Sequence, residues 1–192
     1  MFQEIKLFCR PAITLLAFFT LLTGFLYPVI LVGCAQLFFS HAANGSLIQR
    51  DNKIIGSHLI GQSFTDPRYF WGRPSATTPL PYNGGNSSGS NLGPSHPLLL
   101  KNVQSALILL HADKKMPVPV DLVTASASGL DPDISPLAAF YQVPRIAKAR
   151  LLSEQKLQRL IENNIQPRTL GILGEPRVNV LQLNILLDEE KL

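Results

Sequence analysis

An α+β domain behind one membrane-spanning helix is what the sequence predicts, and three observations predict it. From Pro11 to Phe39 the chain carries no charged side chain. Beyond it, helical and strand-like apolar patterns mix without a regular βαβ alternation or an internal repeat. Between them lies a stretch rich in proline, glycine and serine that nevertheless contains aromatic residues.

Taking Ile13 to Leu37 as helix gives about 37 Å at ~1.5 Å per residue, more than the ~30 Å hydrocarbon core. Pro28 is expected to remove one backbone bond and kink this helix. The rival reading is a cleaved leader, since "SHAA" (Ser40 to Ala43) loosely resembles a small-residue cleavage site. The apolar run is about twice the ~7–15 residues of a leader's apolar region, which favours an uncleaved anchor. Lys6, Arg10 and the amino terminus flank one end, opposed by Glu4, whereas Arg50 and Lys53 stand more distant at the other. The expected layout is residues 1–10 in the cytoplasm, 11–39 across the membrane and 40–192 outside it, in the periplasm.

Composition excludes several functions. Two of the 17 basic and one of the 13 acidic residues precede Ser40, which leaves the domain near +3, without the basic run that nucleic acid requires. Cys9 and Cys34 belong to the membrane segment, so an oxidising compartment has nothing in the domain to pair. His41, His58, His96 and His111 share no ligand spacing, and no metal is expected.

Along the domain, "SLIQRDNKIIGS" places Asp51-Asn52 between two short apolar runs and reads as a hairpin. The segment from Asp66 to Pro97 has linker composition, but Tyr69, Phe70, Trp71 and Arg73 make it an ordered, loop-rich surface. In "HPLLLKNVQSALILLHAD", from His96 to Asp113, Leu99, Val103, Ala106, Leu107 and Leu110 fall at helical spacing. Val120 to Thr124 reads as a short buried strand. Ser135 to Arg150 reads as a helix broken at Pro144, and Ser153 caps a helix with Leu157, Leu160 and Ile161 on one face. "RVNVLQLNILLD" alternates imperfectly through Val178, Val180, Leu181, Leu183 and Ile185, and reads as a C-terminal strand.

Catalytic motifs are weak. Gly84 to Gly89 has the gap of a phosphate loop, but Ser90-Asn91 replaces the lysine and hydroxyl that grip phosphate, and the periplasm has no ATP pool. There is no G-x-S-x-G elbow, and Ser153 to Lys156 matches S-x-x-K while Ser153 already serves as a cap. "SASGLDPDISP", from Ser126 to Pro136, offers Ser126 or Ser128 with Asp131 as nucleophile and carboxylate of a membrane-anchored serine hydrolase. The competing reading is a stiff corner: Asp131 precedes Pro132, Gly129 supplies a turn, and Ser135 before Pro136 starts a helix. In the membrane helix Thr20 and Gly24 form a small-xxx-small pair that lets another helix approach.

The blocks "YFWGRPSAT", "SSGSNLGPSHP", "VDLVTASASGLDPDISPLAAFYQVPRIAKAR" and "LGILGEPRVNVLQLNILLD" together closely resemble the C-subunit family of the bacterial Kdp potassium-transporting ATPases. The likeness runs from about Ser57 to Asp188. It implies an inner-membrane subunit without a reaction, metal or cofactor of its own. It also implies partnership with a channel-like potassium-translocating subunit, a P-type ATPase subunit and a small single-span subunit. The complex would transport K+ at the expense of ATP, and the family is described as a catalytic chaperone that raises the ATP affinity of the hydrolysing subunit. Since a P-type nucleotide site is cytoplasmic, that effect has to pass through the membrane. Thr20, Gly24, Trp71, Arg73, Ser88 and Asn91 are the expected partner contacts.

Overall fold

The computed structural model describes residues 2–111 and 116–189, with side chains from Leu7 onward. Ala112 and Asp113, at the end of the expected helix, and the side chains of Glu4 and Lys6 lie outside the described residues. The chain divides into two compact units that meet between Leu47 and Ile48.

The first unit is helical. Helix α1 (Phe2–Leu21) runs into a π-helical turn (Leu22–Leu26) and then α2 (Tyr27–Phe38), followed by one short turn, α3 (Ser40–Ala43). The expected helix is therefore longer than read, because Pro11 does not end it. Leu7–Phe38 alone contains 32 residues, about 48 Å at ~1.5 Å each. Pro28 has no N–H for the carbonyl four residues back. The chain meets this upstream, where Tyr27 N–H reaches Leu22 O, five residues back, in a widened turn. Thr14 and Thr23 return their hydroxyls to Arg10 O and Phe19 O at 2.8 and 2.7 Å, so neither exposes a polar group on this helix.

The second unit opens with the expected hairpin, β1 (Leu47–Arg50) and β2 (Lys53–Ser57). Asp51 and Asn52 hold φ of 50° and 59°, the left-handed pair that a two-residue hairpin turn demands. Helix α4 (Pro97–Leu109) starts at His96, whose Nδ1 accepts the Leu98 N–H at 3.1 Å. The expected strand at Val120 is instead a single 3-10 turn, Val120–Leu122, with Val120 exposed and Leu122 buried. Pro119 has no N–H for a strand ladder, and Thr124 turns both its N–H and its hydroxyl back to Val120 O.

Strand β3 (Asp133–Ile134) pairs antiparallel with β4 (Val178–Asn179), Ile134 opposite Val178. Helix α5 (Pro136–Arg150) passes through Pro144 without a break, the proline exposed on its outer face. Ser135 and Ser153 cap α5 and α6 (Glu154–Asn163), accepting the N–H of Ala138 at 3.1 Å and of Lys156 at 3.3 Å. The expected C-terminal strand is a correction: after Asn179 the chain is helical, α7 (Val180–Glu189). Asn179 Oδ1 accepts the Gln182 N–H at 3.0 Å and starts the helix. Its buried side chains, Val180, Leu181, Leu183, Asn184 and Leu187, then follow helical spacing. The core is formed where α5, α6, α7 and the β3–β4 pair meet around Phe70, Ile146, Leu157, Ile161 and Leu183.

Candidate partner interface and the Ser126–Pro136 corner

The aromatic strap at Asp66 to Arg73 has no strand partner among the described residues, yet Phe70 is completely buried. Two side-chain amides take the place of a sheet. Asn184 of α7 accepts the Phe70 N–H at 2.8 Å and donates to Phe70 O at 2.9 Å. Gln142 of α5 accepts the Trp71 N–H at 2.8 Å and donates to Trp71 O at 3.1 Å. Consecutive residues thus have both backbone groups paired, Phe70 in the core and Trp71 half-buried at its edge, and a buried group left unpaired costs roughly 1–3 kcal/mol.

Two arginines of α5 fasten the rest. Arg145 donates to Pro67 O and Tyr69 O at 2.6 and 3.0 Å, and its guanidinium stacks 3.9 Å over the Trp71 ring. Arg150 donates to Arg68 O and to the Asp188 carboxylate, both at 2.7 Å. Burial pulls Arg145 down to about 10. Arg68, hydrogen-bonded to Asp66, holds that exposed carboxyl at about 2.

Trp71 and Arg73 line a cleft of about 490 Å3, walled further by Phe64, Tyr82, Leu99 and Leu110. Arg73 reaches Asp131 at 3.2 Å and Ala125 O at 3.4 Å, and its buried Nε has no hydrogen-bond partner among the described residues. Tyr82 donates its hydroxyl to Arg73 O at 2.6 Å. Burial, reinforced by the Asp131 charge, pushes that phenol up to about 12. Between its ordinary 10 and 12 the folded chain keeps a proton that the unfolded chain has lost, so stability falls as pH rises through this window. Arg145, lowered by burial, acts in the opposite direction above pH 10. Replacing Tyr82 by phenylalanine removes only the phenol's share. The stability advantage of wild type over Tyr82→Phe should therefore shrink from pH 9 to 12 in denaturant titrations, and a constant difference would refute the burial argument.

The corner uses each of its polar side chains locally. Ser126 Oγ accepts the Gly129 N–H at 2.9 Å and Ser128 Oγ the Leu130 N–H at 3.1 Å. Asp131 is shared between Arg73 and the Asp133 N–H, while Asp121 accepts the Ser135 N–H at 2.7 Å. Gly129 sits at φ +66°, and Ser75 donates to its carbonyl at 2.7 Å. Ser88 N–H donates to Ser128 O at 3.0 Å, so the loops meet backbone to backbone. Asp133 rests 3.1 Å from Arg177, and burial raises its carboxyl above the usual range.

The expected contacts therefore fall in different settings. Thr20 and Gly24 are exposed on the first unit, Gly24 inside the π turn with open space around it. Trp71, Arg73 and Ser88 are half-buried in the strap and corner, and Asn91 is exposed. Gln142 and Asn184, which position the strap, were missed by sequence reasoning. Their signal was a polar residue at a buried register position: Gln142 lies between Ala138 and Ile146 on the apolar stripe of α5.

Among the described residues one helix is long and apolar enough to cross a membrane, and together with the loop-rich mixed α and β domain that follows it defines the class of a membrane-associated protein. The model of the family "K+-transporting ATPase, c chain" (KdpC) matches residues 9–189. The chain belongs to this family, accessory subunits of potassium uptake. It is 54% identical over 185 residues to the Potassium-transporting ATPase KdpC subunit of Paraburkholderia phytofirmans, covering 95% of this chain and 96% of that one. With the KdpC subunit of Herpetosiphon aurantiacus it shares 54% over 189 residues (97% and 98%), and with that of Methylococcus capsulatus 56% over 182 (93% and 96%).

Proposed function

We propose that the chain is the non-catalytic accessory subunit of a high-affinity, ATP-driven potassium pump of the bacterial inner membrane. In this reading residues 1–10 are cytoplasmic, 11–39 cross the membrane and 40–192 lie in the periplasm. The chain holds together a channel-like potassium-translocating subunit, the P-type ATPase subunit and a small single-span subunit. As a catalytic chaperone it raises the ATP affinity of the hydrolysing subunit through the membrane helix, without holding nucleotide itself. The observation that carries the reading is the Leu7–Phe38 helix. From Pro11 onward it carries no charged side chain, and none of its most apolar stretch is buried by its own chain, which supports a helix covered by lipid and partner helices.

Two measurements test it. A reporter that works only in the periplasm, fused after the last residue, should be active; activity of a cytoplasm-only reporter at that site overturns the orientation. The purified ATPase without this chain should need more ATP for half-maximal hydrolysis, by about 5–150-fold if the coupling is of ordinary allosteric size. An unchanged ATP requirement overturns the chaperone role.

Thr20, Gly24, Trp71, Arg73, Ser88 and Asn91 remain the proposed partner contacts. Gly24→Leu should lower recovery of the chain with its partners, because a leucine blocks close helix approach at that turn. Full recovery removes Thr20 and Gly24 from the interface. The serine hydrolase alternative has no support in the corner, where both serine hydroxyls accept backbone N–H groups.

A further inference from the structure

Between α6 and β4 the chain forms a finger. Gln166 and Arg177 exchange backbone hydrogen bonds at 2.8 and 3.1 Å, and Thr169 and Leu173 do the same at 2.9 and 3.0 Å. Arg168 and Glu175 form an ion pair of 2.6 Å. Gly171 and Gly174, at φ +76° and +78°, shape the tip, and a Cβ on either would meet no atom within 4 Å. The tip thus stands clear of the domain. It presents Leu170, Ile172 and Leu173 at 85%, 75% and 58% exposure, three large aliphatic side chains on a backbone that is already pinned.

Such a tip loses little further freedom on docking, which makes it a suitable anchor for a desolvated pocket. We propose that the finger inserts into an apolar crevice of another subunit of the potassium-transporting ATPase; the inference rests on the subunit reading above. Charge selects this occupant over a bilayer. Tips and helices that enter lipid use basic residues for anionic headgroups and tryptophan or tyrosine at the interface. From 165 to 177 there is neither lysine nor aromatic residue. Arg168 is neutralised by Glu175 and Arg177 by Asp133. A crevice with an apolar floor and an uncharged or charge-paired rim is its complement.

The test uses the full chain with Cys9 and Cys34 replaced by serine and a single probe, Ile172→Cys. A charged, membrane-impermeant maleimide should modify Cys-bearing chain rapidly in lipid nanodiscs that hold the chain alone. In the assembled complex the rate should drop about tenfold or more, as expected for a buried anchor. Equal rates overturn the proposal. So does slow modification in nanodiscs already, which would assign the tip to lipid, or slowing that depends on the concentration of the chain alone, which would assign it to a second copy. A companion variant, Leu170→Asn with Ile172→Thr, keeps the backbone preferences, since asparagine accepts the φ of 54° at position 170 and threonine retains the β-branch. It should melt like wild type and dissociate faster from the complex; wild-type retention overturns the proposal. A wild-type chain that fails to copurify with the ATPase at all would overturn the subunit reading first.

Discussion

Phe70→Ala is expected to unfold or nearly unfold the domain. The ring is fully buried, and its backbone is held on both sides by Asn184. Truncation of a buried phenylalanine costs about 3–5 kcal/mol, against a typical total stability of about 5–15 kcal/mol. The cavity would open beneath a segment that closes this side of the core without a sheet of its own, leaving the two amides to hold a loosened strap. Thermal melting of the domain should show a large drop in midpoint, with loss of the chain from the complex following it. If the variant melts within a few degrees of wild type, the strap is not part of the core and the amide clamp has been overvalued.

Gly129→Val is the second large effect. At φ +66° a side chain costs about 1–2 kcal/mol, and a β-branched one more. A Cβ there would also lie 2.6 Å from Ser88 O and from Thr77 Cγ2, and the first of these is backbone. The loops would have to part, at a total cost on the order of 2–4 kcal/mol. Ser128→Ala, at an exposed residue, should stay within about 1 kcal/mol of wild type, and Ser135→Ala should lose the cap of α5, about 0.5–2 kcal/mol. The ranking Gly129→Val, then Ser135→Ala, then Ser128→Ala identifies a corner. A catalytic serine behaves otherwise. If Ser126→Ala or Ser128→Ala melted and assembled normally but abolished growth on limiting potassium, the corner reading would fall and the hydrolase would return.

What could be read from the sequence was what neighbouring residues settle among themselves. The absence of charge from Pro11 to Phe39 makes a helix long and apolar enough to cross a membrane, whatever the rest of the chain does. Asp51-Asn52 turns the hairpin because both residues tolerate positive φ, and Ser135 and Ser153 cap because a hydroxyl at that position reaches an N–H three residues on. Gly129 was legible for the same reason, as a turn residue between fixed neighbours. Tertiary structure decided the rest. Val178 to Asp188 satisfied a rough alternation as well as a helical stripe, and only the core on α5 and α6, together with the Asn179 cap, selected the helix. Val120 lost its strand because no ladder lies beside it among the described residues and Pro119 could not have joined one. Phe70 of the loop-rich strap became core because Asn184, distant in sequence, pairs backbone groups that would otherwise need water, and Gln142 does the same for half-buried Trp71. The period of a sequence reports which face is buried; it carries no record of the amide that will be waiting there.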